Sequence, residues 1–226
     1  MNHLKALYCR IFQTCFKIAI PFLPYRTPKR LENVQVLPKV LKNNGIKRVL
    51  IITDKSINSL GLTDSLKDAL EKREIEYTVY DDTVANPTTI EVAAALKLYE
   101  EDKCQALIGF GGGSSIDCAK AVGACIANPH KTLAQMGGIL KVNRKLPLLI
   151  AIPTTAGTGS ETTLAAVVTD AKTRHKYAIN DFPLIPKYAV LDPEITRSLP
   201  PFMTATTGMD ALVHAVEAYI GRSTTP

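Results

Sequence analysis

Residues 106–127 read ALIGFGGGSSIDCAKAVGACIA, and the fold turns on how this stretch divides. Ala106–Phe110 is short and apolar throughout, which predicts a strand covered on both faces. Ser115–Ala127 carries small and apolar residues at helical spacing, which predicts a helix. Between them stand Gly111, Gly112 and Gly113. Glycines at a strand-to-helix junction let a phosphate approach the backbone, where the helix offers unpaired N–H groups and the positive end of its dipole. The dipole alone contributes only about 0.3–1 kcal/mol, so binding there relies on several contacts together. The plainer alternative is a tight turn, which would need only one glycine. The spacing is not G-x-G-x-x-G, and no acid stands about 20 residues beyond it, so the ordinary Rossmann fingerprint is excluded.

Outward from this junction, strands and helices alternate. Arg48–Thr53, Tyr77–Tyr80 and Leu148–Ile152 read as further strands, and Leu62–Lys72 and Thr88–Glu101 as helices. That alternation predicts an α/β domain with a parallel sheet, whose ligands bind at the carboxyl ends of the strands. After Pro200, residues Phe202–Ile220 read as one long helix and no strand follows. The expected organisation is an extension over 1–28, a dinucleotide-binding domain over 29–200 and the first helix of a truncated all-helical domain over 201–226.

Two more strand ends carry chemistry. Thr53-Asp54-Lys55 puts a carboxylate where it can accept hydrogen bonds from a ribose and repel a 2′-phosphate, or simply cap a turn. The fourth strand ends in Pro153-Thr-Thr-Ala-Gly-Thr-Gly-Ser-Glu-Thr-Thr163, a run of hydroxyls and small residues suited to a polar ligand. On the last helix, Asp210 and His214 are four residues apart and share a face, as two ligands of one divalent metal or as an ion pair.

Composition narrows the function classes. The formal net charge of +6 resides in Lys5, Arg10, Lys17, Arg26, Lys29 and Arg30, all of which precede the first acid, Glu32. The remainder is neutral and Trp is absent, which argues against a nucleic-acid-binding face. Residues 4–20 form a basic amphipathic helix, able to rest on an anionic membrane or to pack on its own domain or a second subunit. Pro21, Pro24 and Pro28 mark a linker after it. The apolar run Ile18–Leu23 is too short to span a bilayer. Five cysteines without a C-x-x-C pair fit a reducing cytoplasm.

In order along the chain, Thr53-Asp54-Lys55, Asn86-Pro87-Thr88, Gly111–Ser114 with Asp117 and Lys120, Pro153–Glu161, Asp192-Pro193 and Thr206–Glu217 resemble the iron-containing alcohol dehydrogenase family. The basic N-terminal stretch is similar to its butanol-dehydrogenase-like branch. The resemblance implies a dehydroquinate-synthase-like architecture and exchange of hydride between an alcohol or aldehyde and NAD. It assigns Asp54 and Asn86 to the cofactor, with Asp117 in the same motif. Gly112, Gly113 and Ser114 would hold its pyrophosphate, and Thr154, Thr155, Thr163 and Lys176 would line the path to the nicotinamide ribose. Asp210 and His214 would be two of four metal ligands, for Fe²⁺ or alternatively Zn²⁺, in an enzyme expected to be a homo-oligomer. His3, His130 and His175 are the other histidines and none follows His214, so the chain is expected to carry half a metal site and to lack activity alone. The alternatives are a glycerol-dehydrogenase-like or dehydroquinate-synthase-like enzyme, and a non-catalytic dinucleotide-binding fragment.

Overall fold

The computed structural model describes residues 3–19, 22–197 and 199–221. Ile20 and Pro21, read above as the end of a helix and part of a linker, and residues 222–226 of the segment read as a truncated helical domain, lie outside them.

The main sheet comprises β1 (Lys29–Leu31), β2 (Arg48–Ile52), β3 (Glu76–Tyr80), β4 (Ala106–Gly111), β6 (Leu148–Pro153) and β9 (Tyr188–Val190), while β5 (Gly138–Ile139) lies elsewhere. All its strands are parallel, in the order β1-β9-β6-β4-β2-β3. β4 faces β6 residue for residue from Ala106↔Leu148 to Gly111↔Pro153. On its other side β2 stops at Ile52↔Gly109, so β4 and β6 project two residues further.

Side-chain alternation divides the core between the two faces of the sheet. Leu50, Ile52 and Leu107 pack on one face with residues of α5 (Thr89–Glu101) and α6 (Gly113–Ala127). Val49, Ile51, Ile108, Phe110, Ile150 and Ile152 pack on the other with α2 (Leu37–Asn43) and α4 (Asp64–Glu71). This is the α/β architecture expected from the alternating elements. The Thr88 hydroxyl and the Glu91 carboxylate form a reciprocal capping box that sets where α5 begins.

A second sheet was not anticipated. β7 (Ala165–Thr169) and β8 (Lys176–Asn180) form an antiparallel hairpin, and β5 joins β8 to give the order β5-β8-β7. Its turn carries none of the glycine or proline signals that mark a hairpin. Instead the Asp170 carboxylate accepts the N–H groups of Lys172 (2.9 Å) and Thr173 (2.7 Å), and Arg174 adopts φ 60°. The three-residue strands β1 and β9 also escaped the periodicity, being too short to show one.

Two helices lie outside the cores. α1 (His3–Ala19) leaves Leu7, Tyr8, Ile11 and Ile18 more than half exposed, so packing on its own domain does not describe it. α9 (Pro201–Ile220) has no buried residue, and Phe202, Leu212, Val216 and Tyr219 are exposed along it. The short helices α3 (Lys55–Ser59), α7 (Leu133–Met136) and α8 (Pro193–Arg197) and 3-10 turns at Val34–Val36 and Phe182–Leu184 complete the described chain.

Phe110 is the largest fully buried side chain and belongs to the core on the α2/α4 face. Phe110→Ala is expected to lower the unfolding free energy by about 3–5 kcal/mol, read from the urea midpoint at unchanged slope.

Candidate active site

The carboxyl ends of β2, β4 and β6 meet around a cavity of about 500 Å³. Its lining includes Asp54, Gly112, Gly113, Ser114, Thr154 and Thr155, six of the residues singled out from the sequence. They come together because three neighbouring parallel strands end side by side. The Thr154 N–H donates to the Gly111 carbonyl at 3.0 Å, which ties the end of β6 to that of β4.

Each glycine of the junction has its own reason to be there. A Cβ at Gly109 would lie 3.0 Å from the Ile116 Cα, so its bareness lets α6 pack on β4. Gly111 adopts φ 152°, and a Cβ there would fall 2.5 Å from the Ser115 hydroxyl. At Gly113 a Cβ would press the Ser160 hydroxyl at 3.1 Å. Only Gly112 faces open space, its nearest neighbour being the Thr155 hydroxyl at 3.9 Å. The expectation that a plain turn would need one glycine is therefore corrected: helix packing accounts for Gly109 and Gly111, and Gly112 is left as the floor of the cavity. Gly112 also caps α6, whose first turn holds no acid and presents backbone N–H groups toward that space.

Asp54 serves first as the cap of α3, its Oδ1 accepting the Ile57 N–H at 3.0 Å. The capping and ligand readings are compatible, because a carboxylate has a second oxygen. Lys55 pairs with Asp82 at 2.6 Å beside it. The cavity also contains residues that the sequence did not reveal. Thr83 lines it with a buried hydroxyl that has no oxygen or nitrogen partner, and Leu199 and Met203 close one side from the start of α9.

Asn86, Asp117, Thr163 and Lys176 do not line this cavity but form a polar cluster beside it. Asn86 adopts φ 58°, its N–H donates to the Ser114 hydroxyl (3.2 Å), and its Oδ1 accepts from Lys176 Nζ (2.5 Å). Lys120 is fully buried and donates to the Thr163 carbonyl (2.8 Å), the Thr163 hydroxyl (2.9 Å) and the Ala165 carbonyl (2.8 Å). Asp117, one turn earlier, accepts the Val167 N–H at 3.0 Å. Burial raises the Asp117 carboxyl above its ordinary range, opposed by Lys120, the Val167 N–H and Ser160. Burial likewise pushes the Lys120 ammonium from 10.5 down to about 8, against the pull of Asp117 and Glu161.

Asp210 and His214 stand on α9 with Oδ1 and Nε2 3.9 Å apart, both side chains about half exposed. Two ligands of one tetrahedral ion with bonds of about 2.0–2.2 Å stand roughly 3.4 Å apart, so the pair would close by about half an ångström, a side-chain adjustment, to share an ion. Among the described residues no third His, Cys, Asp or Glu joins them. Gly157 brings the loop after β6 against this helix: a Cβ there would lie 2.4 Å from the Thr207 carbonyl, one turn before Asp210.

The model of the family described as iron-containing alcohol dehydrogenase matches residues 30–193. Alcohol dehydrogenase 4 of Schizosaccharomyces pombe is 43% identical over 189 residues, covering 83% of this chain and 44% of that protein. The crystal structure of a 1,3-propanediol oxidoreductase superposes with a TM-score of 0.85 at 33% identity, over 89% of this chain and 54% of the other. An NADH-dependent butanol dehydrogenase A from Thermotoga maritima gives 0.79 at 30% identity, over 89% and 52%. The chain thus spans about half the length of the relatives it matches.

Gly112→Val is expected to leave the melting temperature within about 2 °C of wild type while abolishing NAD⁺ binding by calorimetry, whereas Gly111→Ala lowers stability instead. Unchanged affinity in folded Gly112→Val would remove the phosphate assignment. Lys120→Met removes the donor to the Thr163 carbonyl and the shorter of the two donors to the Ala165 carbonyl, and is expected to cost about 1–3 kcal/mol. Because the Lys120 pKa falls from 10.5 to about 8 on folding, the unfolded chain holds the extra proton between those values. Stability therefore rises with pH through that window, and the advantage of wild type over Lys120→Met should be smallest below pH 8 and grow above it. Urea titrations of both proteins across this range measure it.

Proposed function

The chain belongs to the iron-containing alcohol dehydrogenase family, and we propose that it supplies the NAD-binding domain and two metal ligands of an oxidoreductase that interconverts alcohols and aldehydes. The observation that carries this reading is the convergence of Asp54, Gly112, Gly113, Ser114, Thr154 and Thr155 on one cavity at the strand ends.

The proposed division of labour follows from what each group offers. Residues 29–200 hold the dinucleotide, residues 201–226 begin the metal-binding part, and residues 1–28 form an extension. The Asp54 oxygen not used in capping accepts from the adenosine ribose and disfavours a 2′-phosphate. The N–H groups around Gly112, Gly113 and Ser114 take the pyrophosphate. Thr154 and Thr155 contact the cofactor from β6. Asn86 and Lys176 orient Ser114 from the side, and Asp117 and Thr163, with Lys120, hold the loop in place.

Asp210 and His214 would hold a divalent metal, Fe²⁺ in preference and Zn²⁺ as the alternative, both compatible with a carboxylate and an imidazole. When bound, such an ion supplies Lewis acidity toward the alcohol oxygen while the nicotinamide carries the hydride. The substrate is then a small alcohol or aldehyde. The free thiols Cys104, Cys118 and Cys125 support a reducing, cytoplasmic setting. The exposed apolar residues of α9 support burial against further helices or a second copy in a homo-oligomer.

Asp54→Gly is expected to reduce the preference for NAD⁺ over NADP⁺ by about tenfold or more, measured as the ratio of the two dissociation constants. A ratio that does not move would leave Asp54 as a cap alone. Asp210→Ala and His214→Ala should each weaken Zn²⁺ binding to the protein while leaving NAD⁺ affinity intact, and variants that bind Zn²⁺ as tightly as wild type would refute the ligand assignment.

A further inference from the structure

The cofactor cavity lies at the carboxyl end of the sheet, and a different surface occupies the amino end. A cavity of about 750 Å³ opens there, where β6 and β9 begin. Its walls are apolar at Leu146, Phe182 and Ile185, and four cations line it: Arg26, Arg144, Lys145 and Lys187. Lys29 adds a fifth beside them, its N–H donating to the Lys187 carbonyl at 3.0 Å. The acid in the lining is Asp181, which is buried and accepts the N–H groups of Val142 (2.8 Å), Asn143 (2.9 Å) and Phe182 (2.8 Å). Its charge is thus absorbed inward and does not offset the cations.

α1 is tied to this same end. Only four peptide steps separate Ala19 from Leu23, which itself lines the cavity, so the end of α1 lies within about 15 Å of Leu23. At 100° per residue, Leu7, Tyr8, Ile11 and Ile18 fall in one arc of about 100°, and all four are more than half exposed. Arg10 and Lys17 lie to one side of that arc, and residues 1–31 contain six bases and no acid.

We propose that α1 and the cation-lined end of the sheet together seat the protein on a bilayer surface containing anionic phospholipid. The apolar arc enters the headgroup boundary, Arg10 and Lys17 stand at headgroup level, and the exposed Lys29, Arg144 and Lys145 face the lipid phosphates. Arg26 and Lys187, held by the Ile185 carbonyl (2.6 Å) and the Asn44 Oδ1 (2.9 Å), add their charge from the cavity wall. At the far edge of the sheet, near the start of β3, Glu71, Glu74 and Glu76 alternate with Arg48, Lys72 and Arg73, and Glu76 pairs with Arg48, so that edge carries no excess of cations. Contact is therefore made through the β1–β9–β6 edge, and the cofactor cavity at the opposite end of the strands stays open to solvent.

The test uses the whole 226-residue chain in vesicle flotation, comparing phosphatidylcholine alone with phosphatidylcholine mixed with phosphatidylglycerol. Capture by the anionic vesicles, little by the neutral ones, and release at raised ionic strength are expected. The double variant Arg10→Gln/Lys17→Gln should lower partitioning by about 30-fold, and Arg144→Gln/Lys145→Gln should also lower it, each with unchanged NAD⁺ affinity. Ile11→Asp should abolish capture with an unchanged melting temperature, since α1 is outside both cores. The proposal is overturned by equal capture on both vesicles or by none. It is also overturned if sedimentation equilibrium shows a dimer that Ile11→Asp dissolves, which would assign the apolar arc to a second copy.

Discussion

A parallel strand with both faces covered has no place for a polar side chain along its length, so polar function moves to its ends. In this chain β2, β4 and β6 are buried almost throughout, and past Arg48 at the start of β2 their polar side chains and open backbone appear where the strands stop, at Thr53-Asp54, Gly112 and Thr154. The stagger of the ladder then shapes the space. β4 and β6 run on together to Gly111 and Pro153, while β2 ends level with Gly109. The step left above β2 is where Asp54 and Thr83 face Gly112 and Thr155. Backbone register, fixed by apolar packing on both faces, therefore decides which polar groups can meet.

Holding them there requires the loop after β6 to keep its position, and a buried charge does that. An ammonium without partners in the interior is costly, and Lys120 offsets the cost with three acceptors taken from Thr163 and Ala165. Because α6 carries both Lys120 and Asp117 on the face toward β7, the helix whose N-terminus forms the cavity floor also anchors the loop that forms its wall. The two sides of the cavity cannot shift independently.

Much of this was legible in the sequence, for a physical reason. Buried strands and amphipathic helices impose periods of 2 and 3.6 on any chain that folds this way, and β2, β4, α5 and α6 lie within a residue or two of where those periods place them. What escaped depends on partners distant in sequence. The hairpin β7–β8 turns on the Asp170 carboxylate rather than on glycine, and β1 and β9 are three residues long and exist because they pair. Gly111 reads as one of three equivalent junction glycines until Ser115 is seen against it. Leu199 and Met203 carry no sequence mark of a cavity wall, since an apolar residue lining a site reads like one filling a core.

The loop anchored by Lys120 also couples the strand-end cavity to Asp210 and His214, the proposed metal ligands. Gly157 sits so close to α9 that a methyl group there would fall 2.4 Å from the Thr207 carbonyl. Backbone, not a movable side chain, is the obstacle, so any residue larger than glycine must push the helix and loop apart. Asp210 follows Thr207 by three residues, about 4.5 Å along the axis, and projects from nearly the same face. The height of Asp210 and His214 above the strand ends is therefore set by the Gly157 contact, and through Thr163 and Lys120 it is referred back to α6. Hydride transfer needs the reacting carbons aligned to within a fraction of an ångström. A chain of contacts that runs from the N-terminus of α6 through one loop to α9 is what would keep cofactor and metal in a fixed relation.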